Sequence, residues 1–237
     1  MTLIYEDNIK VAQLDYLSFL LNLENESVDL TVTDPPYESL EKHRSVGTTT
    51  RLKKRWFPVI ENSVLPVLCE QLYRVQKPNT HAFVFCDDET SDILKPMCIE
   101  AGFRVWKRLV WDRVVMGMGY HYRAQYEFIL FLEKGTKPFD PTASSRTPGA
   151  RQLHNKGIPD VLSFKSESRK KGSYPTEKPV PLLETLVTNS TSEGDLVIDP
   201  FVGSGNIALA CRNTGRKFWG SDISADSLAH CRKVLGL

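Results

Sequence analysis

Short apolar runs alternate along the chain with segments whose apolar residues recur every three or four positions. Runs of four to eight apolar residues predict buried strands, and the longer three-to-four spacing predicts helices. Strands are predicted at residues 10–14, 27–33, 81–86, 103–111, 126–133, 196–199 and 217–221. Helices are predicted at residues 16–23, 60–75, 91–101, 179–189, 206–212 and 225–234. This alternation predicts an α/β fold with a doubly wound, mostly parallel seven-stranded sheet, in which 103–111 and 126–133 would form an antiparallel edge pair.

Two long polar segments interrupt the alternation, at about 38–58 and 134–173. Long loops within compact domains are usually either functional or disordered. Two interpretations are open: solvated surface loops, or a pair of basic loops that grip phosphate groups. The candidate phosphate contacts are Lys42, Arg44, Arg51, Lys53, Lys54 and Arg55 in the first segment and Arg169, Lys170 and Lys171 in the second.

The composition is that of one ordinary globular domain spanning residues 1–237, with 41% hydrophobic and 25% charged residues. The net charge of +1 excludes a global basic field, so a nucleic-acid partner would need locally concentrated positive charge. The five cysteines show no C-x-x-C spacing, which suggests neither a zinc site nor a disulfide framework and fits a reducing cytosol. No signal peptide and no membrane-spanning run is evident, so we expect a soluble, intracellular protein without a membrane partner. From the cysteine spacing we expect no bound metal.

The predicted strand at 27–33 is followed by Asp34, Pro35, Pro36 and Tyr37. The carboxyl ends of strands are where open α/β sheets bind ligands. The Asp34 carboxylate and the Pro35 carbonyl can accept both N–H bonds of an exocyclic amino group on a nucleobase, which would make its nitrogen a better nucleophile. Proline fixes φ and holds that carbonyl in place, and Tyr37 offers a flat face for an extruded base. The alternative is a purely architectural corner between strand and loop.

A glycine-containing loop follows the predicted strand at 196–199 and precedes a predicted helix. Glycine lets a backbone approach a ligand closely, and the N-terminus of the next helix carries positive potential. The following strand leads to Asp222, whose carboxylate is placed to accept hydrogen bonds from ribose hydroxyl groups, as in dinucleotide-binding folds. A cap of the helix at 225–234 is the alternative role for Asp222. The loop residues are Asp199, Pro200, Phe201, Val202, Gly203, Ser204 and Gly205.

These two motifs, together with a third at Thr176, Glu177, Lys178 and Pro179, resemble the hallmark motifs of the S-adenosylmethionine-dependent DNA amino-methyltransferases. The catalytic tetrapeptide comes first and the glycine loop last, which is similar to the β group of this family, a circular permutation of the usual motif order. The resemblance covers nearly the whole chain, since residues 111–113 and 123–127 also look like the late strands of the family. Two departures stand out: Tyr174 where histidine is usual, and Asn206-Ile207 where threonines often follow the glycine loop.

The resemblance implies S-adenosyl-L-methionine as cofactor, DNA as partner, base flipping, and a bacterial or phage-encoded cytoplasmic enzyme of DNA methylation, such as restriction–modification. It makes a homodimer possible and gives residues 134–173 the role of a small target-recognition insertion. Asp34, Pro35, Pro36 and Tyr37 would be catalytic. The cofactor residues would be Asp15, Lys178, Pro179, Asp199, Pro200, Phe201, Gly203, Ser204, Gly205 and Asp222, with Asp222 at the ribose, Asp15 near the adenine, and Lys178 and Pro179 near the methionine moiety. Asp15 would serve equally well as a cap of the helix at 16–23.

The target atom is predicted to be adenine N6, because an aspartate that opens the tetrapeptide resembles the adenine group, whereas serine is commoner in the cytosine-N4 group. Cytosine N4 remains the alternative, since its chemistry is the same. A carbon-5 cytosine methyltransferase is excluded, because that reaction needs a cysteine nucleophile that follows proline in its family, and none of the five cysteines does. A protein or RNA methyltransferase and a binding module without catalysis are less favoured alternatives.

Overall fold

The computed structural model describes residues 3–40, 58–117, 121–140, 142, 153–166, 174 and 176–237. The basic residues predicted to contact phosphate fall outside these ranges, and their role stays a prediction. They are Lys42, Arg44, Arg51, Lys53, Lys54, Arg55, Arg169, Lys170 and Lys171.

The strands of the described part form one mixed sheet. They are β1 (Leu3–Glu6), β2 (Ile9–Gln13), β3 (Val28–Thr33), β4 (Gln76–Cys86), β5 (Arg104–Asp112), β6 (Tyr126–Lys134), β7 (Val161–Ser163), β8 (Leu196–Asp199) and β9 (Lys217–Asp222). Their order across the sheet is β1-β2-β9-β8-β3-β4-β6-β5-β7. Neighbouring strands from β2 to β4 in this order are parallel, which confirms the predicted mostly parallel sheet.

Helices cover both faces of the sheet. They are α1 (Tyr16–Leu21), α2 (Leu65–Val75), α3 (Asp88–Glu100), α4 (Val180–Ser190), α5 (Asn206–Asn213) and α6 (Ala225–Leu235). Alternate residues of a strand point to opposite faces: in β4, Phe83 and Phe85 join a hydrophobic cluster with α4, α5 and α6, while Ala82 and Val84 join one with α1, α2 and α3. The chain therefore folds into a helix–sheet–helix arrangement, as predicted.

Three details of the prediction were wrong. The two outermost strands, β1 and β7, are not predicted, because each buries a single residue, Ile4 or Leu162, whereas β8 buries three of its four. The predicted antiparallel pair of β5 and β6 exists, but it is not at the edge. β6 lies between β4 and β5 and is antiparallel to both, and β7 extends the sheet beyond β5. The helix predicted at 60–75 begins as a separate 3₁₀ turn at Asn62–Val64.

The order of the central strands positions the site. β3 and β8 are parallel neighbours, with Leu30 opposite Val197 and Thr31 opposite Ile198. Parallel strands end at the same edge of a sheet, so the segments after Thr33 and after Asp199 meet there. Within the described ranges, no helix has both the length and the apolar character needed to cross a bilayer.

Candidate functional site

A cavity of about 440 Å³ opens at the edge where β3 and β8 end. Its wall includes Asp34 to Tyr37 on one side and Phe201 to Ser204 with Asp222 on the other. The two sides are joined directly, because the Thr33 hydroxyl donates a hydrogen bond of 2.7 Å to Asp199 Oδ1. The structure therefore brings together the two motifs that the sequence separates most widely.

Both carboxylate oxygens of Asp34 have a donor. The Tyr37 hydroxyl donates to Oδ1 at 3.2 Å, and the Lys178 ammonium donates to Oδ2. A quarter of the Asp34 side chain (25%) remains exposed, toward the cavity that it lines. Tyr37 is buried apart from 6% of its surface. Asp34 is thus held from two sides while part of its carboxylate stays open to a ligand.

The two carbonyls of the proline pair differ in their use. The Pro36 carbonyl accepts a hydrogen bond from Ile60 N at 2.8 Å, which fixes the corner between β3 and the following segment. Within the part of the chain that the structure describes, the Pro35 carbonyl has no such donor. It remains available as an acceptor beside Asp34.

Lys178 lines the cavity and is bound to the tetrapeptide. Its ammonium, which is almost fully buried, bonds Asp34 and lies 3.1 Å from Glu127 Oε2, above the ring of Phe85. Glu127 in turn lies 3.5 Å from the guanidinium of Arg113. The prediction of a contact with the methionine moiety stays untested, but the contacts seen tie Lys178 to the tetrapeptide.

The pKa values at this cluster follow from burial and from the neighbouring charges. Burial raises the pKa of Asp34; the positive charge of Lys178 opposes this effect and the negative charge of Glu127 adds to it. Burial would lower the pKa of Lys178, but Asp34 and Glu127 outweigh that effect and raise it. Lys178 therefore keeps its charge.

The glycine loop depends on two left-handed residues. Gly203 has φ +51° and Gly205 has φ +87°, values that side chains strongly disfavour. A Cβ at Gly205 would lie 2.6 Å from Cys231 Sγ and 2.9 Å from Cys231 Cα, so α6 packs where a side chain would be. Gly205 is the N-cap of α5.

Asp222, at the end of β9, holds the backbone of the glycine loop by a hydrogen bond. Its Oδ2 accepts from Gly203 N at 2.9 Å and its Oδ1 from Ser224 N at 2.8 Å. Ser224, rather than Asp222, is the N-cap of α6, since the Ser224 hydroxyl accepts from Ser227 N. Burial raises the pKa of Asp222, and the two backbone N–H groups partly offset this. Asp222 lines the cavity, so the predicted ribose contact stays possible in position but untested.

Asp15 caps α1, which is the alternative that its position in the sequence left open. Its Oδ1 accepts from Ser18 N at 2.9 Å, and hydrogen bonds from Ser18 lower its pKa. It also lines the cavity next to Tyr16, whose ring stacks on that of Phe201 at 5.4 Å between centroids. The cap and a cofactor contact are compatible.

Asp199 is buried at the base of the glycine loop. Burial raises its pKa to about 7, against the hydrogen bonds from the Thr33 hydroxyl and from Phe201 N at 2.9 Å. The neighbouring Pro200 carbonyl accepts from the Ser221 hydroxyl at 3.2 Å, and the Ser204 hydroxyl accepts from Asn206 N at 3.3 Å. These contacts make Asp199 an internal support of the loop.

The motif at Thr176 to Pro179 is hydrogen-bonded to the residue that follows the glycine loop. The Asn206 amide donates to Glu177 Oε1 at 2.9 Å and to the Lys178 carbonyl at 2.8 Å. Tyr174, which stands where histidine is usual in the family, packs its ring against Gly203 and shares a 3.0 Å hydrogen bond with Ser227. Pro179 is the N-cap of α4. Both departures from the family pattern are thus accommodated by contacts of their own.

Sequence reasoning missed Glu127 and Arg113 as members of the site. Both lie in segments that the family resemblance covers, but neither was expected to contact Asp34 or Lys178. The available signal was a carboxylate next to the apolar run of β6, where burial demands a partner. The sequence does not reveal which cation supplies it.

Comparisons with known proteins agree with this fold. A family model described as DNA methylase, N6_N4_Mtase, matches residues 28–232. The chain is 27% identical over 235 residues to a protein named DNA adenine methyltransferase YhdJ from Escherichia coli (strain K12), with 90% of this chain and 77% of that protein covered.

Two solved structures share the fold. One is a complex of M1.HpyAVI with SAM, at TM-score 0.67 and 23% identity, with 95% of this chain and 99% of that chain covered. The other is the PvuII DNA methyltransferase described as cytosine-N4-specific, at TM-score 0.70 and 16% identity, with 95% and 85% covered. At these identities the likeness concerns the fold.

The doubly wound sheet, with two motifs at the shared ends of β3 and β8, defines the class I methyltransferase fold. The match over residues 28–232 establishes that the chain belongs to the N6_N4_Mtase family of DNA methylases.

Proposed function

We propose that this protein transfers a methyl group from S-adenosyl-L-methionine to the exocyclic N6 of adenine in DNA, after the base has left the duplex. The observation that carries the proposal is the single cavity lined by both Asp34 to Tyr37 and the glycine loop. A methyl donor bound against the glycine loop and an amino group bound against Asp34 to Tyr37 would share one cavity, so the methyl group could pass directly between them.

The residues present suit this cofactor. The cavity presents carboxylates to the polar groups of a nucleoside and an amino acid, namely Asp15, Glu177 and Asp222. Gly203 offers a stretch of backbone without a side chain, held in place by Asp222 and Tyr174. When bound, S-adenosyl-L-methionine supplies an electrophilic methyl group on a sulfonium.

Asp34 and Pro35 would prepare the amine. The exposed part of the Asp34 carboxylate accepts one N–H bond, and the Pro35 carbonyl accepts the other. Both acceptors are fixed before the base arrives, Asp34 by Tyr37 and Lys178 and Pro35 by its ring. Catalysis then comes mainly from positioning and from preorganised acceptors that stabilise the positive charge developing on nitrogen.

Adenine is favoured over cytosine by the aspartate that opens the tetrapeptide and by the name of the YhdJ relative. The similar fold of an enzyme described as cytosine-N4-specific keeps N4 as the second candidate. We also infer action on cytoplasmic DNA of a bacterial or phage-infected cell, with a homodimer as a possible assembly.

The test uses labelled cofactor, DNA and two proteins, the wild type and the Asp34→Ala variant. Digestion of the treated DNA to nucleosides followed by mass spectrometry should show N6-methyladenine with the wild type and none with the variant, while cofactor affinity stays nearly unchanged. Detection of N4-methylcytosine alone would show that the target is cytosine N4, the second candidate. Transfer by Asp34→Ala at the wild-type rate would refute the mechanism.

A further inference from the structure

The buried ammonium of Lys178 sits between two carboxylates. It bonds Asp34 Oδ2, lies 3.1 Å from Glu127 Oε2 and donates to the Thr176 carbonyl at 3.3 Å. Only 7% of Lys178 is exposed, and the ring of Phe85 lies 5.1 Å from its ammonium. Because water is largely excluded, these charges act on each other more strongly than a surface pair does.

The cluster extends to a second cation. Arg113 Nη1 lies 3.5 Å from Glu127 Oε1, and its Nη2 donates to the Ala124 carbonyl at 2.8 Å. All four residues line the cavity, and their charges alternate along the cluster: negative at Asp34, positive at Lys178, negative at Glu127 and positive at Arg113. Each charge has an opposite neighbour, so the cluster can persist at low exposure.

The backbone around Lys178 is also held. Thr176 adopts φ +61°, a left-handed conformation that is an outlier for a β-branched residue. Two residues further on, the Lys178 carbonyl accepts from the Asn206 amide. A strained turn and a fixed carbonyl together point this one side chain at Asp34 rather than into solvent.

We propose that Lys178 and Glu127 are positioning residues of the methyl transfer. Lys178 binds one oxygen of Asp34 and keeps that carboxylate ionised, so that the other oxygen, which also accepts from Tyr37, can bind the amino group; Glu127 sets how strongly Lys178 does so. The proposal rests on the proposed function, since it needs Asp34 as the acceptor of the amine. It gives Lys178 a role at the tetrapeptide in place of the methionine contact that the family resemblance implies.

The charges facing Asp34 predict opposite effects of two variants. Lys178 faces it from the segment before α4, Glu127 from β6 and Tyr37 from its own loop; Asp199, Tyr174 and Cys86 lie further off. Loss of the positive charge in Lys178→Met should raise the pKa of Asp34. Loss of the negative charge in Glu127→Gln should lower it.

The experiment measures the single-turnover rate of methyl transfer to DNA between about pH 5 and pH 9, with the enzyme saturated by cofactor. The rate should fall on the acid side as Asp34 takes up a proton. Relative to the wild type, this acid limb should move up by about one pH unit in Lys178→Met. It should move down in Glu127→Gln and stay near the wild-type position in Lys178→Arg, which keeps the charge.

Lys134 provides a matched control far from the cavity. It is likewise buried, with its ammonium 3.2 Å from Glu26 Oε1, 2.9 Å from the Tyr73 carbonyl and 4.6 Å from the Tyr73 ring. Lys134→Met should lower stability and leave the acid limb in place.

The inference is overturned if Lys178→Met slows transfer by the same factor at every pH, or if the acid limbs of Lys178→Met and Glu127→Gln move in the same direction. It is also overturned if Lys178→Met raises the dissociation constant for the cofactor and leaves its acid limb at the wild-type position. If Lys178→Met does not fold, the positions of the acid limb in Glu127→Gln and Lys178→Arg test the inference instead. Failure of the proposed function looks different, because the wild type itself would then leave adenine unmethylated.

Discussion

The side-chain amide of Asn206 donates a 2.8 Å hydrogen bond to the backbone carbonyl of Lys178. This bond joins the first residue of α5 to the segment that carries Lys178 toward Asp34. A second bond from the same amide, to Glu177, reinforces the connection. One side chain thus couples the wall of the cavity formed by the glycine loop to the wall that contains the tetrapeptide.

We predict that Asn206→Leu weakens cofactor binding about tenfold and lowers the free energy of unfolding by about 1–3 kcal/mol, since it leaves the Lys178 carbonyl without its donor. Calorimetric titration with S-adenosyl-L-methionine and urea unfolding would measure the two effects. Asn213→Ala is the control, because Asn213 ends α5 and its amide donates an exposed 2.8 Å hydrogen bond to Glu184 on α4, away from Lys178. Equal effects of both variants would contradict the coupling.

The glycine loop predicts a contrast between two left-handed glycines. Gly205→Ala should lower the free energy of unfolding by more than about 3 kcal/mol, because backbone strain adds to a clash with Cys231. Gly194 has φ +81° but nothing within 4 Å of a built Cβ. Gly194→Ala should therefore cost only the strain, about 1 kcal/mol. Denaturant unfolding of the two variants would show the difference, and similar losses would mean that the contact with α6 is unimportant.

Asp199 predicts an unusual dependence of stability on pH. Its pKa is about 7 in the folded protein, against an ordinary value of 3.8, so the folded state binds the proton more tightly than the unfolded state does. The wild type therefore loses stability from this group as pH rises from about 4 to about 7. Asp199→Asn removes the titration, and its unfolding free energy relative to the wild type should improve by roughly 2–4 kcal/mol over that interval.

The control for Asp199 is Asp160, an exposed carboxylate whose pKa is lowered by its hydrogen bond and ion pair with Lys107. Asp160→Asn should change the pH dependence only slightly and in the opposite sense. Urea unfolding at several pH values measures both variants. A pH-independent difference between Asp199→Asn and the wild type would show that Asp199 is already ionised throughout.

The two functions of Tyr37 can be separated by substitution. Tyr37→Phe keeps the ring and loses only the hydroxyl that donates to Asp34, so the KM for DNA should change little while the acid limb of the rate moves slightly upward. Tyr37→Ala also loses the flat face, which should weaken DNA binding by roughly 1–3 kcal/mol. Steady-state methylation of unmethylated genomic DNA measures both. A KM unchanged in Tyr37→Ala would exclude stacking.

The positions of the two main motifs could be predicted because they depend on regular features. Apolar runs identify β3 and β8, and the residues that follow them were placed at the carboxyl ends of strands, where open α/β sheets bind ligands. The structure adds that β3 and β8 are neighbours. The same periodicity gave the helices to within a few residues. It could not show β1 or β7, each of which buries only one residue at the margin of the sheet.

The contacts of Lys178 could not be predicted, for a physical reason. They depend on the left-handed turn at Thr176 and on a bond from Asn206, and neither leaves a periodic trace in the sequence. Glu127 carried a weak signal as a carboxylate next to a buried run. Its partners become apparent only when β6 lies beside β5, which leads to Arg113, and when Lys178 reaches the same end of the sheet.

The hydrogen bond between Thr33 and Asp199 spans 166 positions of the chain. Contacts between such distant residues form slowly, because a long loop must close before they give any stability. The cavity therefore forms only after the segment that ends in Asp199 has joined the strands made earlier. A nascent or truncated chain that ends before residue 199 would contain Asp34 to Tyr37 but lack the opposite wall of Phe201 to Ser204 and Asp222, so under the proposed function the onset of activity would report that this late contact has formed.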